Sequence, residues 1–252
     1  MMKYLALTVV AATAMSALLS TTAVAQQQTI EQCDVNAHVI KANYQQQQKQ
    51  GDTQQFGLWR LNAEVAHQSM QSGVVDKWQQ LSTGQMRPVR YFEQYQRAIE
   101  YQPGELRSNS GNVEWAQKYQ LVSDNLLQTP VREQGQGCER EQYFEHASGT
   151  QKLAVTWLPE LQLVKTMIIS EQNDVGEWQV LSTLKLQSYQ LTPQLIERQF
   201  ALWDRYQSTD YADVGDNEQD AFLSKMINQG FIEHGASGFY SSDGHALGGH
   251  HH

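Results

Sequence analysis

Two long runs of alternating apolar and polar residues constrain the fold of this chain more than any other feature of its sequence. The first run extends from Lys152 to Ile169 and the second from Glu177 to Gln187. Because side chains point alternately to the two faces of a strand, this spacing predicts two strands with one apolar and one polar face. The polar residues 170–176 between them predict a hairpin turn. Pro159 cannot donate a hydrogen bond to a neighbouring strand, so it predicts a bulge, a bend or an edge position.

More strands are predicted on the N-terminal side of these two runs. Short alternating segments predict strands at Lys77–Leu81, Val89–Glu93 and Arg97–Tyr101. Gly84 and Pro88 mark the first turn between them, and Gln94-Tyr95-Gln96 forms the second. Residues 56–70 fit a helix or a strand, and we expect a strand in their first half. A further strand is expected between Val113 and Leu121. The connections are too short for crossover helices, so the predicted sheet is antiparallel.

Helices are predicted on both sides of the sheet region. Apolar residues recur at steps of three and four between Thr29 and Tyr44, which predicts an N-terminal helix that includes Cys33. Thr192-Pro193 has the pattern of a helix start, and an apolar stripe follows over residues 195–206. A second C-terminal helix is expected to begin at Asp216, which has the capping-box pattern.

This order of helix, meander and hairpin, with the segment Trp-Leu-Pro-Glu-Leu-Gln-Leu at residues 157–163, resembles a family of exported open half-barrels. The family includes the lipoprotein carrier LolA and the stress-sensor regulator RseB, and the resemblance covers roughly residues 29–190. It implies an α+β fold, in which a curved antiparallel β-sheet (a LolA-like half-barrel) carries an N-terminal helix and two C-terminal helices packed on it.

The same resemblance implies a binding site, because the curved sheet of that family leaves an apolar groove that takes acyl chains. On the apolar faces of the predicted strands, four residues are candidates to line such a groove here: Trp157, Leu163, Trp178 and Leu184. The alternative interpretation is that these side chains fill an ordinary core.

Residues 1–25 have the features of a cleaved signal peptide. Lys3 precedes an apolar core of about 15 residues, shorter than the roughly 20 of a membrane-spanning helix, and Ala23-Val24-Ala25 matches a cleavage site. We therefore expect a soluble periplasmic protein with no transmembrane segment after cleavage. Its expected parts are the half-barrel domain (26–190), a C-terminal helical segment (191–233) and a flexible Gly/His-rich tail (234–252).

Cysteine content and charge narrow the chemistry further. The chain has two cysteines, Cys33 and Cys138, and an oxidising compartment predicts a disulfide between them. The formal net charge is −9, and the sequence has no run of Lys or Arg. This charge argues against nucleic acid and anionic lipid headgroups as main partners, and leaves a lipid or other apolar ligand and an envelope protein as candidates.

Metal binding is the second functional class that the sequence suggests. Imidazoles in the tail are candidate ligands for Zn or Cu, unless they are a remnant of a purification tag. They are His234, His245, His250, His251 and His252. Acidic residues between 210 and 220 resemble a calcium loop, but Ala212 and Val214 break the EF-hand order. A solvated acidic loop that complements a helix start is the better interpretation.

A hydrolase with an unrecognised site is the third class. Glu139, Glu141 and Glu145 alternate beside His146 and are candidates for an acid–base set, although charged strand faces usually only meet water. No catalytic motif matches, so no catalytic residue is assigned. We expect a non-catalytic envelope protein that binds a hydrophobic ligand in a curved sheet; the alternatives are a metal-binding accessory protein acting through the acidic loop and tail, and the hydrolase.

Overall fold

The structure is a computed structural model that describes residues 33–103, 105, 114–214 and 219–229. All of these residues belong to one compact unit that begins at Glu31. They form a mostly-sheet α+β fold, in which a large, curved and unclosed sheet carries a few helices. The predicted signal peptide (1–25) and tail (234–252) lie outside the described residues.

Twelve strands make up the described sheet, in two antiparallel meanders. The first meander contains β1 (Val39–Gln48), β2 (Thr53–Leu61), β3 (Glu64–Ser69), β4 (Val74–Gln80), β5 (Met86–Phe92) and β6 (Arg97–Glu100). The second contains β7 (Arg132–Gln134), β8 (Glu141–Ser148), β9 (Gln151–Leu158), β10 (Leu163–Gln172) and β11 (Trp178–Gln190). The antiparallel pairing of β1 with β11 joins the two meanders, from Lys41 opposite Gln190 to Gln48 opposite Ser182. A short last strand, β12 (Gln207–Asp210), runs parallel to β6 at the edge of the sheet.

Helices cover both faces of the sheet. They are α1 (Trp115–Gln120), α2 (Pro193–Trp203) and α3 (Ala221–Asn228). The α1 face carries the larger core, in which residues of β1 to β4 and β8 to β11 pack with Tyr119, Leu121 and Val122. On the α2 face, Ile196, Phe200 and Trp203 of α2 pack on residues of β1 to β6. Helix α3 packs against Phe92, Ile99 and Tyr101 near β6.

The guanidinium of Arg60 ties several segments together inside the core. It is fully buried and donates hydrogen bonds to the carbonyl oxygens of Tyr119 (2.6 Å), Gln162 (2.6 Å), Ala37 and Leu161 (both 3.3 Å). It also lies over the Tyr119 ring, 4.5 Å from the centroid. A buried charge is tolerated only when its donors are satisfied, so these carbonyls make the burial of Arg60 possible.

The predicted N-terminal helix between Thr29 and Tyr44 is wrong for the part of it that the structure describes. Residues Val39–Gln48 form β1, hydrogen-bonded on both sides to β2 and β11. Ile40 and Tyr44 are four positions apart, which is one helical turn and also an even step along a strand. Ala42 lies between them and is also fully buried, which fits the two-residue period of a strand and not the period of a helix.

Two predicted strands also differ from the structure. The described part of Val113–Leu121 contains the short helix α1 rather than a strand. The run from Lys152 to Ile169 is two strands, β9 and β10, because the chain turns at residues 159–162 and the strands then pair with each other.

The other predicted strands and helices have counterparts in the structure, but Pro88, expected in a turn, lies within β5, and β12 was not predicted. Strands β4, β5 and β6 match the three short predicted strands, and β11 contains the second long run. Pro193 occupies the first turn of α2 as predicted. Helix α3 begins after Asp220, whose carboxylate accepts hydrogen bonds from the backbone N–H groups of Phe222 and Leu223. The start expected at Asp216 lies outside the described residues.

The predicted disulfide between Cys33 and Cys138 is present, with the two Cα atoms 4.8 Å apart. It links the segment before β1 to the turn between β7 and β8. The two cysteines are separated by 105 positions in the sequence. The bond therefore restricts a large loop of the unfolded chain.

We expect the Arg60→Ala variant to lose about 3 kcal/mol or more of unfolding free energy, because several buried carbonyls lose a charged donor. Urea denaturation monitored by tryptophan fluorescence measures this loss. Arg205→Ala is the matched control, since Arg205 is exposed and its side chain donates to the Ala201 carbonyl oxygen in the last turn of α2. An equal effect of both substitutions would contradict the proposed role of Arg60.

We expect the Cys33→Ser/Cys138→Ser double variant to lose about 2 to 5 kcal/mol of unfolding free energy, as loop-closure entropy predicts for a loop of this length. Intact mass after alkylation without reduction checks the bond itself. Freshly isolated protein that takes up two alkyl groups under these conditions would show that the cysteines are free.

Candidate functional site

An open groove of about 740 Å³ lies beside the disulfide. Its walls come from β7, from the turn that contains Cys138, and from the ends of β8, β9, β10 and β11. Leu158, Leu186 and Tyr189 supply apolar surface. Polar side chains line the rest of the groove: Gln134, Glu139, Glu141, Lys165, Gln187 and Ser188. The site is therefore amphipathic.

Strand register explains how these residues come together. Glu141 is the first residue of β8 and pairs with Gln134 of β7. Lys165 stands where the register between β9 and β10 shifts, since Val164 pairs with Trp157 and Thr166 pairs with Thr156. Such a bulge leaves one residue outside the ladder and redirects its side chain, which places the Lys165 ammonium in the groove.

Four polar residues form a hydrogen-bonded group here, which we call the Glu141 cluster: Gln134, Glu141, Tyr143 and Lys165. The Glu141 carboxylate accepts hydrogen bonds from the Lys165 ammonium, from the Tyr143 hydroxyl and from the Gln134 amide. Glu141 is mostly buried, whereas about half of the Lys165 side chain (49%) is exposed. The cluster therefore presents one accessible cation next to a carboxylate that already accepts three hydrogen bonds.

The cluster also fixes its own protonation states. Hydrogen bonds from Lys165 and Tyr143 lower the pKa of Glu141. The hydrogen bond to Glu141 raises the pKa of Lys165, and it likewise raises the pKa of Tyr143. Each shift moves the group further from neutral pH, whereas a general acid or base works best with a pKa close to it. The geometry suits binding better than proton transfer.

The four ligand-binding candidates from the sequence do not line this groove. Trp157, Leu163 and Leu184 lie in the core of the α1 face with at most 6% of their surface exposed. Trp178 is 46% exposed at the start of β11. The groove instead uses residues close to them on the same strands: Leu158 on β9, Lys165 on β10 and Leu186 on β11.

One sequence signal could have identified part of the groove. The odd-numbered positions from 161 to 169 are apolar except for Lys165, which places a charge on the apolar side of a predicted strand. The alternating pattern is interrupted at Pro159, which marks the strand end where Leu158 lies. Tyr189 and Gln134 carried no such signal, because they lie on different strands, β11 and β7, and only the folded sheet brings them to one groove.

The candidate acid–base set does not assemble. Glu139 and Glu141 line the groove, but Glu145 forms an ion pair with Lys152 at 3.2 Å. The Nε2 atom of His146 is 2.8 Å from the Leu126 carbonyl oxygen. The four residues therefore belong to three different environments.

The candidate metal sites receive no support from the described residues. His234, His245, His250, His251 and His252 lie outside them. In the acidic segment, Asp210 caps a short 3-10 turn and Asp220 caps α3 and pairs with Arg97 at 3.0 Å. Nowhere in the part of the chain that the structure describes do three or more His, Cys, Asp or Glu residues come together in a way that could hold a metal ion. None of its helices is long and apolar enough to cross a membrane.

A second polar group is buried within the α1 face. His67 places Nε2 2.8 Å from the Lys118 carbonyl oxygen, and the Lys118 ammonium lies 4.2 Å from the Trp78 ring centroid. Arg90 donates to both carboxylate oxygens of Asp76, at 2.6 and 3.1 Å. Burial lowers the pKa of His67 to about 3 and the pKa of Lys118 to about 8.

Comparisons with known proteins do not assign the chain to a family. No protein-family model and no curated protein matches it. Two solved structures of PNGF-II, in space groups P21 and C2, are similar to it at 8% and 10% sequence identity. The alignments cover 70% and 75% of this chain but 32% of PNGF-II, with TM-scores of 0.36 and 0.37. TM-scores below 0.5 do not establish a shared fold.

The buried histidine predicts a specific dependence of stability on pH. Because the folded-state pKa of His67 lies below its unfolded value near 6.5, the unfolded state binds the proton more tightly. Its contribution to stability is complete above pH 6.5 and is lost as the pH falls towards 3. When the pH falls from 7 to 4, we expect the unfolding free energy of the parent to decrease by about 3 kcal/mol more than that of the His67→Gln variant.

Urea denaturation at a series of pH values measures this difference. The same substitution at His146, which is only partly buried, is the control. Identical pH profiles for the parent and the His67 variant would mean that His67 is not held neutral in the folded protein.

Proposed function

We propose that this chain is an exported, non-catalytic protein that binds an amphiphilic ligand in the groove beside the Cys33–Cys138 disulfide. The observation that carries this proposal is the lining of the groove, in which exposed apolar surface adjoins the Glu141 cluster. The proposal keeps the hydrophobic ligand expected from the sequence. It moves the ligand from the core side chains Trp157, Leu163 and Leu184 to the groove.

The apolar part of the ligand would lie mainly against Leu186 and Tyr189, because Leu158 is only 6% exposed. Tyr189 is 39% exposed, so a ligand has apolar surface to cover there. Burying apolar surface contributes roughly 25 cal/mol per Å². The groove volume of about 740 Å³ also falls within the range of small-molecule sites.

The polar part of the ligand would meet Lys165. An ammonium group has three donors, and Glu141 takes one of them. The remaining donors suit an oxygen-bearing headgroup such as a carboxylate, while Gln187 and Ser188 on β11 add neutral polar groups to the lining. These features favour a fatty acid or a similar single-chain amphiphile over a purely apolar molecule.

The carboxylate of Glu141, held by three hydrogen bonds, supports a binding role rather than a hydrolytic one. The fixed protonation states of the Glu141 cluster leave it without a group that readily exchanges protons near neutral pH. The disulfide is consistent with an oxidising compartment, and with the signal-like residues 1–25 it supports a periplasmic location. A LolA-like carrier role is part of this proposal, with a strand in place of the N-terminal helix.

We expect the protein to bind a fluorescently labelled fatty acid, and the Tyr189→Ser variant to bind it about tenfold more weakly, because apolar contact area is lost. The Lys165→Gln variant should lose preference for the free acid over its methyl ester. Fluorescence titration gives the dissociation constants. Val180→Ser is the matched control, since Val180 is exposed on the same strand and does not line the groove.

Melting temperatures of all variants establish that they remain folded. Absence of fatty-acid binding by the parent protein would overturn the proposal. Binding that Tyr189→Ser and Lys165→Gln leave unchanged would place the ligand somewhere other than this groove.

A further inference from the structure

A second concave site, separate from the groove, lies on the α2 face at the C-terminal end of α2. This cleft has a volume of about 330 Å³, and residues of β3 to β6 line it together with Asp204 and Tyr206. We call it the Asp204 cleft. A water molecule takes up about 30 Å³ in the liquid, so the cleft is large enough for a small organic molecule.

Charged side chains of both signs line the Asp204 cleft, with carboxylates in excess. Lys77 lies between Glu64 (3.0 Å) and Asp204 (2.7 Å), and Arg87 pairs with Glu100 at 2.5 Å. Three carboxylates and two cations leave one net negative charge. About half of the Asp204 side chain (49%) is exposed, so part of this negative charge faces the open space.

The backbone of α2 adds to this negative potential. Asp204 is the residue that ends α2, and the last carbonyl groups of a helix carry the negative end of its dipole. A cation near the last turn is therefore stabilised by both the carboxylate and the helix.

Aromatic rings also line the Asp204 cleft. The Tyr91 hydroxyl donates to Asp204 at 2.7 Å, and Tyr206 packs edge-on against the Tyr91 ring with centroids 6.1 Å apart. The chain's own Lys77 ammonium lies 5.6 Å from the Tyr91 ring centroid while it pairs with the carboxylates. Lys77 and Tyr91 both donate to Oδ1 of Asp204, which leaves Oδ2 of this half-exposed carboxylate for a further cation beside the aromatic faces.

We propose that the Asp204 cleft binds a small organic cation of the alkylammonium class. The cation would occupy the space beside Lys77, with its charge towards Asp204 and Glu64 and its carbon chain against Tyr206. This site is on the other half of the sheet from the groove and is independent of the function proposed there.

The test uses 1,4-diaminobutane as the cation and 1,4-butanediol as a neutral molecule of the same length. Trp203 lines the cleft, so its indole NMR resonance senses a charge brought into that space. The indole N–H itself donates to Glu93 at 3.0 Å, and Glu93 does not line the cleft. We expect the diamine to shift this resonance saturably and the diol to leave it unchanged. Raising the salt concentration should weaken the binding.

Charge-removing variants locate the site. Glu64→Gln and Asp204→Asn should each weaken diamine binding about fivefold, as loss of a partly exposed ion-pair partner predicts. Because Asp204 also holds Lys77 and Tyr91, urea denaturation must show that its variant is folded; Glu64→Gln tests the idea independently. Glu145→Gln on β8 is the control, since its ion pair with Lys152 lies outside the cleft.

Three results would overturn the proposal: no shift of the Trp203 resonance, equal shifts with diamine and diol, or binding that both cleft variants leave unchanged. A shift caused by calcium ions but not by the diamine would also overturn it, because the site would then select inorganic cations.

Discussion

The antiparallel pairing of β1 with β11 is the constraint on which the rest of the structure depends. Each of the two meanders can pair its own neighbouring strands, but only this pairing makes them one sheet with a shared α1 face. Two internal hydrogen-bonding groups strengthen the junction. Tyr44 on β1 donates to the Val164 carbonyl at 3.0 Å, and Arg60 on β2 reaches the carbonyls of the turn between β9 and β10. The junction thus fixes the second meander, and with it the groove, relative to the first.

The groove and the Asp204 cleft place charge at the surface by different means. In the groove, a β-bulge takes Lys165 out of the strand pattern, and Glu141 receives enough donors to stay ionised. In the cleft, the end of α2 brings Asp204 over the sheet, where Lys77 and Tyr91 hold it. In both sites the polar groups bond to one another before any ligand arrives. Such preorganisation lowers the entropy lost on binding and suits recognition of small molecules.

Sequence periodicity predicted the elements that have one clear spacing and a marked boundary. Gly84 separates β4 from β5, Pro103 follows β6, and Pro193 marks the start of α2. Periodicity failed where apolar residues are four positions apart, since that step fits both a helix and a strand. Ile40 and Tyr44 indicated a helix but lie on β1. The candidate sites were harder still to predict from the sequence. Lys77 and Asp204 are 127 positions apart, and only the folded sheet brings them within 2.7 Å.

The central position of β1 has a consequence for the order in which this protein can be assembled. Asn43 and Ser188, which face each other across the β1–β11 junction, are separated by 145 positions. Contacts over such distances are slow to form, because a long loop must close before they are made. A ribosome releases β1 long before β11 exists, so one edge of β1 has no partner during most of synthesis. Completion of the sheet is therefore a late event, and until then β1 is an open template for wrong pairing.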